Sequence, residues 1–252
     1  MRYIVKVNPK YAGIREWVEK VVREGMPADG EVIYRGRNVL YRSIVNGTSV
    51  VVKEFKKPNP VNAYVYTTLR TSKAERSYRN AMRMSESGFL TPEPVAYGEV
   101  RNGLKLMSSC YICRELEGAK EMRNWQDYPN ASTLVPAFAH EIYRLHQAGV
   151  WHKDFSPGNI LYKETAAGTY DFYYVDLNRM KFGVHDRKRQ MSMFRSINLN
   201  PAETRKLAGY YSEVAGLEKA ATEKEALEQL AGYFAERGRK ARLKKLLHLN
   251  KK

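Results

Sequence analysis

The run His152-Lys153-Asp154-Phe155-Ser156-Pro157-Gly158-Asn159-Ile160-Leu161 holds the residues best suited to do chemistry. It has the form H-x-D-x-x-x-x-N followed by apolar residues, and it lies between a helical pattern and a strand pattern. Further on, a second short strand pattern delivers Asp176-Leu177-Asn178. A loop carboxylate such as Asp154 can accept a proton from a hydroxyl and aim the oxygen. Asn159 and Asp176 carry hard oxygen donors of the kind that suit Mg²⁺. The hairpin between them is expected to bring Asp176 back beside the loop. H-x-D alone arises by chance in many chains, and a lone loop Asp is usually a cap. A loop motif, a downstream strand-borne Asp and a fitting element order together are far rarer.

This arrangement resembles the catalytic loop and metal-binding aspartate of the protein-kinase-like fold. Leu145-His146-Gln147-Ala148-Gly149 strengthens the likeness, because kinase-like folds commonly carry L-H-x-x-G there. The resemblance implies phosphoryl transfer from ATP with Mg²⁺, a reaction that needs positioning and charge neutralisation more than covalent help. It makes Asp154 the base and Asn159 and Asp176 the metal ligands. Lys53, in Val50-Val51-Val52-Lys53-Glu54-Phe55, stands where the V-A-I-K lysine contacts the α- and β-phosphates. Glu75, near the start of the next helix, is the candidate partner of Lys53; an intrahelical pair with Arg79 is the alternative. In Arg35-Gly36-Arg37-Asn38 only Gly36 represents the glycine-rich loop, and a lone Gly there is ordinarily just a turn. On the kinase reading that turn covers the phosphates, with Arg35 or Arg37 adding charge. Glu115 and Leu116, after the fifth strand, stand at the hinge whose backbone pairs with adenine.

The loop wording H-x-D-F-S-P-G-N-I-L, with Thr91-Pro92-Glu93-Pro94-Val95-Ala96-Tyr97-Gly98 after the helix, is similar to the lipopolysaccharide kinase family, the Kdo and heptose kinases of the inner core. The resemblance spans about residues 30–195. It implies transfer to a sugar hydroxyl of a lipid-linked oligosaccharide at the cytoplasmic face of the inner membrane. The acceptor is then an anionic glycolipid or phosphorylated sugar. Ser156 replaces the usual Lys of serine/threonine kinases, Asp176-Leu177-Asn178 replaces D-F-G, and no A-P-E follows.

The elements that must position these residues fall into two groups. Residues 2–7 alternate weakly, Ile14 to Val22 reads as a short amphipathic helix, and Glu31–Tyr34, Val39–Val45 and Ser49–Phe55 read as a meander. Asn46-Gly47 is a hairpin signal. A proline-bearing loop, Lys57 to Pro60, follows. Residues 72–87 read as a helix with Ala74, Tyr78, Ala81, Met82 and Ser85 on one side. Val95–Val100 and Leu104–Cys113 read as a hairpin. Ser132 to Gln147 is a helix that turns Leu134, Val135, Phe138, Ile142 and Leu145 inward. Ile160–Tyr162 and Asp171–Val175 are short strands, and the chain beyond 186 is helical. The fold class is therefore α+β and bilobal: residues 1–116 as a β-rich N-lobe with one main helix, residues 117–252 as a compact, mostly helical C-lobe.

With 252 residues the chain can bury a real core. No apolar run is long enough to span a bilayer, and Met1 to Ala12 lacks an apolar signal region. Two cysteines exclude a disulfide scaffold and fit a reducing compartment. Cys110 and Cys113 lie in one strand at a spacing that turns them to opposite faces, which makes a poor chelate. The expected location is cytoplasmic, with peripheral contact on the inner membrane.

The net charge is +16, and residues 237–252 contribute eight basic residues and no acid. That favours anionic partners. Arg179, Lys181, Arg187, Lys188, Arg189 and Arg195 follow Asp176, where an acceptor approaches; a solvated basic face is the plain alternative. Arg239 to Leu249 alternates basic and apolar residues, as a helix lying on an anionic membrane does, or a packed terminal helix. No nucleic-acid-binding signature is visible. Other function classes remain open. An aminoglycoside- or choline-kinase-like enzyme is disfavoured by the basic C-terminal part, a compact atypical protein kinase is possible, and a pseudokinase scaffold is disfavoured by the intact set Lys53, Asp154, Asn159 and Asp176.

Overall fold

The computed structural model describes residues 1–27, 30–68, 70–123, 125–197 and 199–249. By contact the chain divides into two units. One is Met1–Ala119 with Tyr173–Arg179, and the other is Lys120–Phe172 with Met180–Lys252. A division at residue 116 assigns Asp176 to the second part. The contacts place it in the first, because residues 173–179 return to it.

In the first unit six strands form one antiparallel sheet: β1 (Arg2–Val7), β2 (Glu31–Arg35), β3 (Val39–Val45), β4 (Thr48–Glu54), β5 (Pro94–Asn102) and β6 (Lys105–Arg114). Their order is β1-β5-β6-β4-β3-β2, so the expected meander forms one end and β1 the other. Asn46 and Gly47 both take positive φ, as a two-residue hairpin turn demands. The helix α1 (Arg15–Glu24) buries Val18, Val21 and Val22 against Val50, Val52, Val95 and Ile112. It comes so close that a Cβ on Gly98 of β5 would lie 2.0 Å from Val22.

Two further helices complete this unit, α2 (Pro60–Thr68) and α3 (Lys73–Glu86). The expected loop holds for residues 57–59, and its last residue, Pro60, begins α2, a helix the sequence pattern did not predict. Asn59 caps it, its Oδ1 accepting from the Asn62 N–H at 2.8 Å, and Pro60 stands at the first helical position. That is where proline's missing donor costs nothing. Ser72 caps α3 by accepting from the Glu75 N–H at 3.0 Å. Its buried face holds Ala74, Tyr78 and Ala81 as expected, but Met84 takes the place expected of Ser85, which is exposed.

In the second unit β9 (Ile160–Ala166) lies between β7 (Lys120–Glu121) and β10 (Thr169–Tyr174). A two-stranded ladder joins β8 (Trp151–His152) to β11 (Met180–Lys181), pairing His152 with Met180. The helix α4 (Ala131–Gln147) buries all five residues expected to face inward. It ends before Gly149, whose φ of 65° closes the turn into β8. Three helices follow: α5 (Arg187–Met191), α6 (Pro201–Ala215) and α7 (Lys219–Leu249). Asn200 and Glu203 form a reciprocal capping box at the start of α6. Among the described residues no helix is long and apolar enough to cross a membrane. The side chains that would make residues 239–249 amphipathic lie almost wholly outside the described residues.

Candidate active site

The first unit positions Lys53 and Asp176. Lys53 sits in β4, in register with Leu40 on one side and Tyr111 on the other. Its Nζ is 2.8 Å from Asp176 Oδ1, and the same oxygen accepts from Asn178 Nδ2 at 2.6 Å. Asp176 has a φ of 56°, one of two non-glycine residues with positive φ among the described residues. Asp tolerates this region better than most residues, because its short polar side chain bonds locally.

Several groups hold that turn in place. Leu90 bridges Tyr173, the Tyr174 N–H donates to the Leu90 carbonyl at 3.1 Å, and Thr91 Oγ1 donates to the Tyr174 carbonyl at 2.8 Å. From α3, Arg76 Nε donates to the Asn178 carbonyl at 3.0 Å, and Asn80 Nδ2 donates to the Leu177 carbonyl at 2.6 Å. Sequence reasoning missed Arg76 and Asn80. Their spacing of four on one helix face was the available signal.

Glu75 is placed differently from the expectation. It pairs with Arg79 at 2.6 Å, the intrahelical alternative, while Lys53 is taken by Asp176. The four-residue spacing on α3 puts Arg79 within direct reach of Glu75.

The hinge residues also differ in detail. The Glu115 N–H donates to the Ser49 carbonyl at 3.0 Å. Its carboxylate accepts from Ser49 Oγ at 2.6 Å and Arg42 Nε at 2.8 Å. Partial burial opposes its ionisation, but the bonds from Ser49 and Arg42 outweigh this and hold the carboxyl below its ordinary value. Glu115 therefore braces β3 and β4, and the free peptide edge falls to Leu116, whose N–H is unpaired among the described residues. Gly36 lies in the β2–β3 turn, where a Cβ would run into the Tyr34 ring.

The second unit positions Asp154 and Asn159. His152 is buried, and its Nδ1 accepts from the Asp154 N–H at 3.1 Å. Phe155 is fully buried and stacks on Phe138 of α4 at 5.9 Å. Asp154, between these two anchors, is partly buried. The Asp154 carbonyl accepts from the Ser156 N–H and from Asn159 Nδ2, both at 2.8 Å. The amide nitrogen of Asn159 is thus spent on the loop. Its Oδ1 accepts nothing from the described residues and is available to a hard cation. Arg123 lies against Gly158, where a Cβ would meet its guanidinium. Arg123 is a cation at the loop that the sequence reading passed over.

Asn159 Oδ1 and the Asp176 carboxylate are each a hard oxygen donor of the kind that Mg²⁺ takes together with phosphates and water. Among the described residues no group of three or more His, Cys, Asp or Glu could hold a metal. Cys110 and Cys113 are free thiols, and burial pushes both up to about 12. Of the basic residues after Asp176, Arg187 is bound to Glu225 at 2.8 Å and Arg195 reaches Glu236 at 4.0 Å, so both brace α7.

Residues 51–233 match the model of the Lipopolysaccharide kinase (Kdo/WaaP) family. The chain belongs to this family. It is a kinase of the Kdo/WaaP kind, with a protein-kinase-like α+β fold. No curated protein matches the chain. Among solved structures, that of WaaP in complex with acyl carrier protein is 22% identical, covers 96% of this chain and 98% of that one, and has a TM-score of 0.59. The Rio2 kinase-ADP/Mg²⁺-phosphoaspartate complex from Chaetomium thermophilum is 15% identical, with 91% and 77% covered and a TM-score of 0.51. Amicoumacin kinase hAmiN in complex with AMP-PNP, Ca²⁺ and Ami is 11% identical, with 89% and 77% covered and a TM-score of 0.51. These likenesses show the shared fold.

Proposed function

We propose that the protein transfers the γ-phosphate of ATP to a sugar hydroxyl of the lipopolysaccharide inner core, on Kdo or a heptose. The observation that carries this reading is the family match over residues 51–233, which contains Lys53 and the whole stretch from Asp154 to Asp176. Mg²⁺, when bound, neutralises phosphate charge and fixes the phosphoryl group for in-line attack. Asn159 and Asp176 would hold it through their side-chain oxygens. Lys53 would contact the α- and β-phosphates, leaving its present partner Asp176 to the metal. Asp154 would take the proton of the acceptor hydroxyl as the new O–P bond forms and ADP departs. The peptide edge of Leu116 would pair with adenine, and the turn around Gly36 would cover the phosphates.

An anionic acceptor suits the net charge of +16. Peripheral contact of residues 237–252 with an anionic membrane, on the cytoplasmic side, belongs to the same proposal and rests on charge alone. The test is transfer of labelled γ-phosphate from Mg·ATP to deep-core lipopolysaccharide, Kdo-lipid A, free sugars, aminoglycosides and a generic protein. Label on lipopolysaccharide that disappears in Asp154→Ala supports the reading. Label on protein or aminoglycoside alone sinks it, and ATP binding without transfer points to a scaffold.

A further inference from the structure

The first unit contains a cavity of about 600 Å³ that none of the assigned residues except the flap turn touches. Its wall carries Arg37, Lys56, Lys57 and Lys73 together with Phe55 and Tyr66, and no acidic residue among the described residues lines it. Lys73 is partly buried and Arg37, Lys56 and Lys57 are exposed; none of the four forms an ion pair among the described residues, whereas partly buried Lys53 pairs with Asp176 and Arg42 with Glu115. Lys73 stands at the first position of α3, at the positive end of a fourteen-residue helix. Burial first, then repulsion from Arg37, Arg76 and Arg179, outweighs the attraction of Asp176 and pushes its amine below the ordinary lysine value. Phe55, almost fully buried, separates this cluster from the ATP-site lysine: Lys73 Nζ is 5.9 Å from the ring centroid and Lys53 Nζ is 5.6 Å from it.

Like-signed charges around a concave wall raise its local positive potential and draw anions to it. The partly exposed Tyr66 ring and the amides of Asn59 and Asn62 on the same wall suit a sugar ring better than a flat membrane. We propose that this cavity is a binding site for a phosphorylated sugar, distinct from the nucleotide phosphates, which holds a phosphate-bearing part of the acceptor. The role as acceptor site rests on the kinase reading; the binding of a phosphosugar does not.

The test has two arms. In the first, glucose 1,6-bisphosphate is titrated calorimetrically into the full chain saturated with AMP-PNP, beside glucose and phosphatidylglycerol vesicles. Wild type is expected to bind the bisphosphate and not glucose. Lys56→Gln/Lys73→Gln is expected to weaken that binding at least tenfold, and Lys56→Arg/Lys73→Arg to keep it, with unchanged circular dichroism in both. No binding by wild type, equal binding by the Gln variant, or binding to vesicles alone overturns the site. In the second arm the Gln variant is expected to raise KM for phosphorylated core acceptor about tenfold. KM for ATP and for a dephosphorylated acceptor should stay within about twofold. A rise in ATP KM instead would assign the cavity to the nucleotide and overturn the proposal. Absence of any lipopolysaccharide transfer alongside bisphosphate binding would reject the acceptor reading while leaving the site standing.

Discussion

Asp154 and Lys53 are assigned different work, so their substitutions separate in kinetics. Asp154→Ala removes the proton acceptor and should lower kcat by about 10² to 10⁴-fold while ATP binding, measured by fluorescent nucleotide displacement, stays intact. Lys53→Met should instead weaken ATP binding, and Asp176 then loses its 2.8 Å partner. His146 offers a separate prediction. It is buried in α4, its Nδ1 lies 2.9 Å from the Tyr211 hydroxyl of α6, and the Gln190 amide of α5 donates to its carbonyl. Burial first, then Arg187, pushes the imidazole down to about 3. In the unfolded chain a histidine titrates near about 6.5. The folded value is depressed, so the stability it contributes is full above about pH 6.5 and is lost as the pH falls from there toward about 3. Thermal melts should show a loss of up to about 1.4 kcal/mol per pH unit in this window for wild type, shallower in His146→Gln. Identical acid limbs would refute the assignment.

At the scale of elements, α3 matters more for the turn it holds than for the glutamate it was expected to supply. Asn80→Ala removes the 2.6 Å bond to the Leu177 carbonyl. It should raise the Mg²⁺ concentration needed for half-maximal turnover several-fold, with little change in melting temperature; an unchanged Mg²⁺ response would mean the bond only staples the fold. On the opposite face of the sheet, Gly98→Ala drives a methyl into Val22 and should cost about 1–3 kcal/mol in denaturant unfolding. Much of this architecture was legible. Alternation and Asn46-Gly47 gave the meander, and the heptad-like run Leu134 to Leu145 gave α4. The catalytic-loop wording placed Asp154 and Asn159 correctly on one loop. α2 was hidden because Asn59-Pro60 serves equally as a loop and as a cap with its first helical residue. The Glu75–Arg79 pair and the support from Arg76 and Asn80 were hidden for a different reason. One strand of sequence fixes which residues share a helix face, but not which distant turn arrives beside it.

For the whole molecule, the charge of +16 sets the response to salt. Screening shortens from about 10 Å at 0.1 M to about 3 Å at 1 M. KM for a polyanionic acceptor should therefore rise steeply with KCl while kcat changes little; a flat KM would show that the basic surface takes no part in capture. The return of residues 173–179 to the first unit has a consequence for synthesis on the ribosome. All six strands of the sheet have been made when residue 119 emerges, but the unit is unfinished, because Leu90 still awaits Tyr173 and Tyr174, and Arg76 and Asn80 await the carbonyls of Asn178 and Leu177. Residues 120–172 must be made first and looped out, a closure whose entropic cost grows only slowly with length. The nascent chain thus spends that interval with Arg76 and Asn80 of α3 still lacking these carbonyl partners. A break anywhere in the looped segment would separate the sheet from the one aspartate that Lys53 holds.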